Sequence, residues 1–206
     1  MRTIPVFPLN LVVFPNSRYP LHIFEERYKI MINRCLETET GFGIVAPLGN
    51  ELAKIGSYVI IPQVLKKYEN GEMDIIVEAK NRFSIKRIFT HPDGYITSEV
   101  EDYFDIQPVA NPALLVELEG RFEKILEKYD FKLEESFWAH YQIAKLKSFK
   151  IAEKSGLSLI EQQALLTLQD ENHRINFLIN HFEKLSEEIS KNAGLRNIIL
   201  GDGFLN

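Results

Sequence analysis

Four ionisable side chains near the start of the chain have the types needed for acid–base chemistry. His22 lies three residues before a charged run at residues 25–27, and general catalysis needs an imidazole or a carboxylate with a tuned pKa close to the substrate. The same charges are typical of a helix start, because carboxylates in a first turn are stabilised by the helix dipole. Glu25 can also pair with Lys29 one turn later. The sequence therefore favours a structural role for these charges and predicts no catalytic residue.

Metal and nucleotide sites are also not predicted. The five histidines form no HExxH motif, and Cys35 is the single cysteine, so the tight ligand spacings of a zinc site are missing. Residues 41–43 and 55–57 contain glycine, but they lack the spacing of a phosphate loop and the second glycine of a nucleophile elbow. Turn or strand positions explain these glycines better. We therefore expect no cofactor and no metal.

A row of basic side chains raises the possibility of nucleic-acid binding. Lys80, Arg82 and Lys86 alternate along a predicted strand, which places them on one face that phosphates can contact. The net charge of −5 is spread over both halves of the chain, however, and acidic residues near 99–105 can neutralise this face. RNA binding through these three residues is therefore the alternative function, and nucleic acid is not the expected partner.

Three aromatic residues within five positions could line a pocket. Phe137, Trp138 and Tyr141 lie at i, i+1 and i+4 of a predicted helix. Aromatic residues at this spacing pack more often in a core or at a subdomain interface than around a ligand. The sequence therefore favours packing for all three.

The composition is that of a folded globular protein. Apolar residues make up 45% of the 206 positions and charged residues 26%, which is too apolar for a disordered chain. Pro5, Pro8 and Pro15 interrupt the apolar opening, so it does not resemble the helical core of a signal peptide. No run approaches the roughly 20 apolar residues of a membrane span. We expect a cytoplasmic protein without a membrane segment.

The elements that must position these residues change type near residue 107. Short apolar runs at 4–9, 11–14, 19–24, 58–68, 73–79 and 95–103 predict strands, and Asn70-Gly71 predicts a hairpin turn. A helix is predicted to begin at Phe24. Six or more short strands with one helix indicate a closed or partly closed barrel over residues 1–106.

Residues 107–206 have helical periodicity instead. Asn111-Pro112 predicts a capped helix, residues 135–154 a second helix, and Ser158 with Glu161 a capping box that begins a third. Asp170 can cap a fourth helix, which Gly194 would end. The predicted fold class is therefore α+β, with a β-barrel subdomain followed by an α-helical bundle.

A series of short motifs follows one order along nearly the whole chain, and each motif is weak by itself. They are residues 5–9, Val13-Phe14-Pro15, Pro20-Leu21, Ile23-Phe24-Glu25, Arg27-Tyr28, Phe42-Gly43-Ile44-Val45, Ile55-Gly56, Arg82-Phe83, Tyr95, Val100-Glu101, Glu161, Gln162, Gln163, Leu165, Leu166 and Arg174. As a set they resemble the N-terminal substrate-binding domain of Lon proteases, including its stand-alone members.

This resemblance implies an N-terminal PUA-like β pseudobarrel, an α-helical subdomain, and the recognition of protein substrates or partners. The family often has glycine three residues before its Arg-Phe pair, whereas this chain has Ala79, which leaves the expected bulge there open. The chain shows no P-loop and no room for a peptidase domain after the helices. The resemblance therefore implies binding without proteolysis.

The function expected from the sequence is that of a non-enzymatic recognition module. It would bind unfolded or extended polypeptide, or one dedicated partner protein, through exposed apolar surface. Tyr19, Tyr68 and Tyr103 are the predicted contact residues, since they are aromatic residues near strand ends and turns. An extended peptide can also add to a free sheet edge, and the proline-rich first strands are candidates for such an edge, although proline also blunts edges against pairing.

Overall fold

The computed structural model describes the backbone of residues 1–191 and the side chains of residues 1–187. The chain divides into two compact units, Met1–Phe104 and Asp105–Asn206. Each unit is described by itself. The predicted helix end at Gly194 lies outside the described residues.

Eight strands and one helix form the first unit. In chain order they are β1 (Arg2–Pro8), β2 (Arg18–Ile23), α1 (Glu26–Glu37), β3 (Phe42–Val45), β4 (Pro47–Leu48), β5 (Glu51–Leu52), β6 (Ile55–Lys67), β7 (Met73–Thr90) and β8 (Ile96–Asp102). The short strands β4 and β5 pair only with each other. The strand expected at residues 11–14 does not form, because this segment contributes Val12, Val13 and Phe14 to the core as irregular backbone.

Five of the six longer strands pair around a closed circuit. β7 pairs with both β6 and β8, β8 pairs with β1, β1 pairs with β3, and β3 pairs with β6. The length of β7 makes this possible, since its residues 73–84 pair with β6 and its residues 83–90 pair with β8. Only β2 lies outside the circuit, as an extra strand against the first part of β7.

Two turns that contain glycine close the hairpins on either side of β7, and the first of them is the turn predicted at Asn70-Gly71. Gly71, with φ of 81°, follows Asn70 between β6 and β7, and Gly94, with φ of 85°, lies between β7 and β8. Both backbones are in the left-handed region that glycine adopts without strain. The two turns define the two ends of β7, the strand that pairs with β2, β6 and β8.

The aromatic ring of Phe83, on β7, explains why two strand positions are occupied by glycine. A side chain carbon on Gly43 would lie 2.5 Å from Phe83 Cζ, and one on Gly56 would lie 2.7 Å from the same atom. Gly43 is in β3 and Gly56 is in β6, so the missing side chains make room for the buried Phe83 ring between adjacent strands. These glycines belong to strands and not to a phosphate loop or a nucleophile elbow.

The charged run at residues 25–27 begins helix α1, as predicted. Glu25 is the N-cap residue and Glu26 lies in the first turn. Glu25 pairs with Arg27 at 2.7 Å, whereas Lys29 pairs with Glu26, so the expected Glu25–Lys29 pair is wrong. Residues 25–27 therefore serve the helix start.

Five helices follow in the described part of the second unit. They are α2 (Pro112–Lys128), α3 (Glu135–Ile143), α4 (Lys147–Ala152), α5 (Leu159–Thr167) and α6 (Glu171–Lys191). Asn111 caps α2 by accepting from the Ala113 amide at 2.9 Å, and Ser158 forms the predicted capping box with Glu161.

The single helix predicted at residues 135–154 is wrong, because the structure has two helices there. Ala144 is extended, with φ of −64° and ψ of 129°. Lys147 Nζ donates to the carbonyl oxygens of Tyr141 and Gln142, in the last turn of α3. The lysine therefore caps α3 and starts α4, which explains the break.

A buried arginine organises the polar interior of the second unit. Arg174 is fully buried and donates to both carboxylate oxygens of Asp105 at 2.8 Å. It also donates to Glu171 Oε2 at 2.9 Å and to the Leu168 carbonyl at 2.7 Å. Glu171 in turn accepts from the Ser148 amide at 2.9 Å. Both buried carboxylates are thus paired with one guanidinium and hydrogen-bonded, as buried charges usually are.

Candidate functional site

The three predicted contact tyrosines lie at separate levels of strand β7. Tyr19 is half-buried and pairs with Val77, and Tyr68 lies in the hairpin that precedes β7. Tyr103 lies at the other end of the β6-paired part, where its amide donates to the Arg82 carbonyl at 3.0 Å. Because strand residues rise by about 3.3 Å each, the three rings do not form one patch. Each remains a prediction on its own.

The predicted basic face is not formed as expected. Arg82 is only 4% exposed, and its guanidinium lies 5.1 Å from the Tyr103 ring centre. A register shift between Tyr58 and Val59 leaves Lys80 without a partner residue on β6, so the alternation of faces changes at this bulge. The bulge forms although Ala79 replaces the family's glycine. The prediction that Arg82 shares an open face with Lys80 and Lys86 is therefore wrong.

The two exposed lysines of this row are neutralised by neighbouring carboxylates. Lys80 pairs with Glu78, and Lys86 pairs with Glu101 at 2.9 Å. Phosphate binding would have to displace these pairs, so the structure gives the RNA alternative no support.

A small exposed cluster lies where β2 ends beside the β6–β7 hairpin. We call His22, Phe24, Tyr68 and Asp74 the hairpin-end cluster. His22 Nδ1 lies 2.7 Å from Asp74 Oδ1, and the Tyr68 hydroxyl donates to Asp74 Oδ2 at 2.7 Å. The Phe24 side chain, which is 60% exposed, stacks on the His22 ring with 6.1 Å between centres. His22 therefore bonds to Asp74 and not to the charges at residues 25–27.

The hydrogen bonds in this cluster act on the pKa of the Asp74 carboxyl group. The hydrogen bond from His22, followed by that from Tyr68, lowers the pKa of Asp74 from its ordinary value of 3.8. A Tyr68→Phe variant should therefore raise the Asp74 pKa towards 3.8, which carbon-detected NMR of the carboxyl group measures. An unchanged Asp74 pKa would contradict this account.

The sign of the linked stability change follows from the direction of the shift. A carboxyl with a depressed folded-state pKa stabilises the fold above its unfolded-state pKa, and this stability is lost as the pH falls through the folded-state pKa. The stability difference between Tyr68→Phe and the original protein should therefore be larger at neutral pH than below pH 3.8. Urea unfolding at both pH values measures it.

Strand β2 is the free edge of the sheet within the described residues, whereas β1 pairs with both β3 and β8. The Ala79 amide donates to the Ser17 carbonyl at 3.0 Å just before β2. Bonded pairs alternate along an antiparallel ladder, so the backbone groups of Arg18, Pro20 and His22 face the open side. Pro20 has no N–H there, so the edge lacks its central donor and is blunted against strand addition.

A cavity of about 470 Å³ lies in the second unit, where α2 connects to α3. We call it the Trp138 cavity. Its lining residues are Glu123, Leu126, Glu127, Asp130, Phe131, Lys132, Leu133 and Trp138. All of them come from one stretch of sixteen positions, so a single helix–loop–helix connection builds the cavity.

The end of helix α2 explains how this connection folds. Asp130 has a left-handed backbone with φ of 51°, and its amide donates to the Glu127 carbonyl at 3.0 Å. The Phe131 amide donates to the Leu126 carbonyl at 2.9 Å. These two bonds are the Schellman motif, which brings the residue after the cap back onto the last helical turn. Phe131 and Leu126 thus form one apolar wall.

Trp138 on α3 supplies a further part of the lining. Its indole is held edge-on by Phe137 at 5.3 Å and by Tyr141 at 6.0 Å between ring centres. Phe137 and Tyr141 are 6% and 3% exposed, so the prediction of core packing is correct for these two residues. Trp138 is half-buried and lines the cavity, so core packing does not describe it fully. Its neighbours fix the indole, which favours binding without rearrangement.

Metal sites and membrane-spanning helices were also considered for the described part of the chain. Among residues 1–191, no group of three or more His, Cys, Asp or Glu side chains is placed to hold a metal ion. The described helices also include none that is long and apolar enough to cross a membrane.

Comparison with known proteins identifies the family. Residues 3–184 match the family model of the ATP-dependent protease La (LON) substrate-binding domain. The chain belongs to this family. The match includes both the β-rich unit and the described helices up to the last turns of α6.

Curated relatives with similar sequences include Lon proteases. The Lon protease of Vibrio parahaemolyticus is 26% identical over 87% of this chain, and that of Escherichia coli is 24% identical over 94%. A LON peptidase N-terminal domain and RING finger protein of Schizosaccharomyces pombe is 25% identical over 89% of this chain. The chain spans 24% and 26% of the two Lon proteases and 46% of the third relative.

Solved structures of the family establish the fold. A Lon N-terminal domain protein from Xanthomonas campestris has a TM-score of 0.69 at 23% identity, and the match covers 87% of this chain and 98% of that one. The N-terminal domain of Mycobacterium avium complex Lon protease has a TM-score of 0.66 at 16% identity, covering 88% and 98%. The chain therefore has the mixed α+β fold of LON N-terminal domains.

The sequence reasoning missed most of the residues that line the Trp138 cavity. One available signal was that Trp138, the only tryptophan of the chain, follows a stretch in which charged and apolar residues alternate at residues 130–134. Another was the recurrence of acidic residues at 123, 127 and 130, which places three carboxylates on one helical face. Neither signal reveals that the cap at Asp130 turns Phe131 back towards the helix.

Proposed function

We propose that this chain is a recognition module that binds extended or unfolded polypeptide, and that it catalyses no reaction on the bound segment. The Trp138 cavity is the proposed contact site. The observation that carries this proposal is an indole held in place by buried rings and facing an open cavity of about 470 Å³. Membership of a family described as a substrate-binding domain supports it.

The size and lining of the cavity support binding of side chains. Ligand cavities usually have volumes of about 300–1,000 Å³ and combine apolar walls with a few polar groups. Leu126, Phe131, Leu133 and Trp138 supply apolar wall. Burial of one large apolar side chain contributes about 1.5–3 kcal/mol, so one or two side chains give weak, reversible binding. Such binding suits a module that accepts many exposed segments.

The blunted edge of β2 argues for side-chain recognition over strand addition. A peptide that pairs with a sheet edge draws affinity from a continuous run of main-chain hydrogen bonds. Pro20 lies in the middle of the six residues of β2 and removes the central donor on the open side. Recognition through apolar side chains needs no such run.

Binding of a labelled polypeptide in unfolded and folded forms tests the proposal. Reduced and alkylated α-lactalbumin serves as the unfolded probe, and the native form of the same protein serves as its control. We expect fluorescence anisotropy to rise only with the unfolded probe. The affinity should change by less than about threefold between roughly 50 mM and 300 mM salt, because apolar contacts are weakly screened.

A labelled single-stranded RNA in the same titration examines the alternative function. Binding through phosphates would weaken steeply with salt and would fall in a Lys80→Ala and Lys86→Ala double variant. RNA binding with this behaviour, together with no binding of the unfolded probe, would contradict polypeptide recognition.

A further inference from the structure

The rim of the Trp138 cavity carries an excess of negative charge. Glu123, Glu127 and Asp130 contribute three carboxylates, against the single ammonium group of Lys132. The three acidic positions follow each other by four and three residues, which places them on one side of α2 and its cap. The carboxyl end of a helix also carries about half a negative charge. The helix dipole and the carboxylates therefore add in the same direction.

Two of the three basic residues of α2 have other partners, and the third, Lys124, is not among the residues that line the cavity. Arg121 pairs with Glu117 and Glu183, each at 2.8 Å. Lys128 Nζ donates to the Ser186 carbonyl at 3.3 Å. Neither cation is directed towards the cavity rim in these contacts. The negative charge of the rim is therefore available to a ligand.

The negative potential also reaches the ring beside the indole. Burial and then the hydrogen bond to Glu119 raise the pKa of Tyr141, and the charge of Glu123 raises it further. Tyr141 lies edge-on to Trp138. Trp138 lines the same cavity as the three rim carboxylates, so a cation over the indole face gains from both the ring and the carboxylates.

We propose that the Trp138 cavity selects an arginine side chain of the bound polypeptide. The guanidinium would stack on the Trp138 indole and pair with the rim carboxylates, and the aliphatic part of the side chain would contact Leu126 and Phe131. This inference rests on the proposed function and names the segments that the module prefers, namely apolar segments that contain an arginine residue.

Arginine fits this cavity better than other side chains for physical reasons. Its guanidinium is planar, stacks on aromatic faces and pairs with two carboxylate oxygens at once, whereas lysine offers a compact, strongly hydrated charge. A purely apolar side chain would contact the apolar walls but would leave the rim carboxylates without a cation. An acidic side chain would be repelled by them. Charge complementarity with the rim therefore favours arginine over apolar and acidic side chains.

Three peptides that differ in one residue test the inference. The labelled peptides have the sequence Gly-Ser-Leu-X-Leu-Ser-Gly, where X is arginine, norleucine or glutamate. We expect the arginine peptide to bind about tenfold more tightly than the norleucine peptide, and the glutamate peptide to bind most weakly. In a Glu127→Gln and Asp130→Asn double variant, the preference for arginine should fall to about twofold or less.

A matched control removes the same charge from the other unit. Glu37 and Glu51 are exposed in the first unit, and a Glu37→Gln and Glu51→Gln double variant should keep the full arginine preference. Equal binding of the arginine and norleucine peptides would overturn the selection of arginine and leave polypeptide recognition intact. Binding of none of the three, together with no binding of unfolded α-lactalbumin, would overturn both.

Sedimentation of the free protein tests whether a second copy of this chain, and not a polypeptide segment, occupies the cavity. If a second copy of this chain filled the cavity, the protein would be a dimer that Trp138→Ala converts to a monomer, and this result would contradict the inference. A monomer at all concentrations used for the peptide titrations is the expected result.

Discussion

An Arg174→Met variant is expected to lower the free energy of unfolding by about 3–5 kcal/mol. Arg174 is fully buried, and its removal leaves Glu171 at 0% and Asp105 at 9% side-chain exposure without their cation. Methionine keeps most of the side-chain length but none of the donors. The loss therefore reports uncompensated buried charge and not an empty cavity.

Arg121 provides the matched control for this prediction. It also lies in the second unit and also pairs with two carboxylates, but its side chain is 31% exposed. Solvent-exposed pairs contribute about 0–1 kcal/mol, so Arg121→Met should cost about 1 kcal/mol or less. Urea unfolding followed by the fluorescence of Trp138 measures both variants. Equal costs for the two variants would contradict the role of the Arg174 network.

A Trp138→Ala variant is expected to bind unfolded polypeptide at least about thirtyfold more weakly than the original protein. Central aromatic residues of binding sites typically contribute about 2 kcal/mol or more when truncated, and a factor of ten corresponds to about 1.4 kcal/mol. Trp138→Phe should retain part of the affinity, because it keeps an aromatic wall. Anisotropy titration with labelled, unfolded α-lactalbumin measures both variants.

Phe24 offers a control for the loss of an exposed aromatic ring. It is 60% exposed in the hairpin-end cluster of the first unit, and Phe24→Ala should weaken binding by less than about threefold, as for most residues outside a hot spot. A larger loss with Phe24→Ala than with Trp138→Ala would move the binding surface to the hairpin-end cluster.

The fold features that the sequence predicts well are those controlled by local chemistry. The glycine turn at Gly71, the cap at Asn111 and the capping box at Ser158 each depend on a few adjacent residues. The change from strands to helices near residue 107 likewise follows from a change in periodicity. Local hydrogen bonds and backbone preferences determine these features, so no distant contact is needed to predict them.

The features that the sequence predicts poorly depend on partners far along the chain. Arg82 is buried because a bulge opposite Tyr58 and Val59 changes which residues of β7 face inwards, and no pattern within β7 reveals the position of that bulge. The break between α3 and α4 depends on where the Lys147 side chain reaches. Strict alternation and helical periodicity assume regular elements, and these irregular points are where the assumption fails.

The candidate site shows the same limit. The charge pattern at residues 25–27 correctly predicted a helix start, but the choice of Tyr19, Tyr68 and Tyr103 used only nearness to strand ends and turns. A cavity requires a particular chain reversal, and here the left-handed backbone of Asp130 provides it. Aspartate can adopt the left-handed conformation, but its presence in a sequence does not predict that conformation as glycine does.

The fluorescence of Trp138 tests the central claim most directly, because it is the only tryptophan of the chain. Alkylated α-lactalbumin in which tyrosine or phenylalanine replaces every tryptophan is added while anisotropy reports binding in the same sample. Recognition through the Trp138 cavity predicts a blue shift of the indole emission and protection from acrylamide quenching that follow the anisotropy curve. Polypeptide binding with unchanged Trp138 emission and unchanged quenching would contradict the claim.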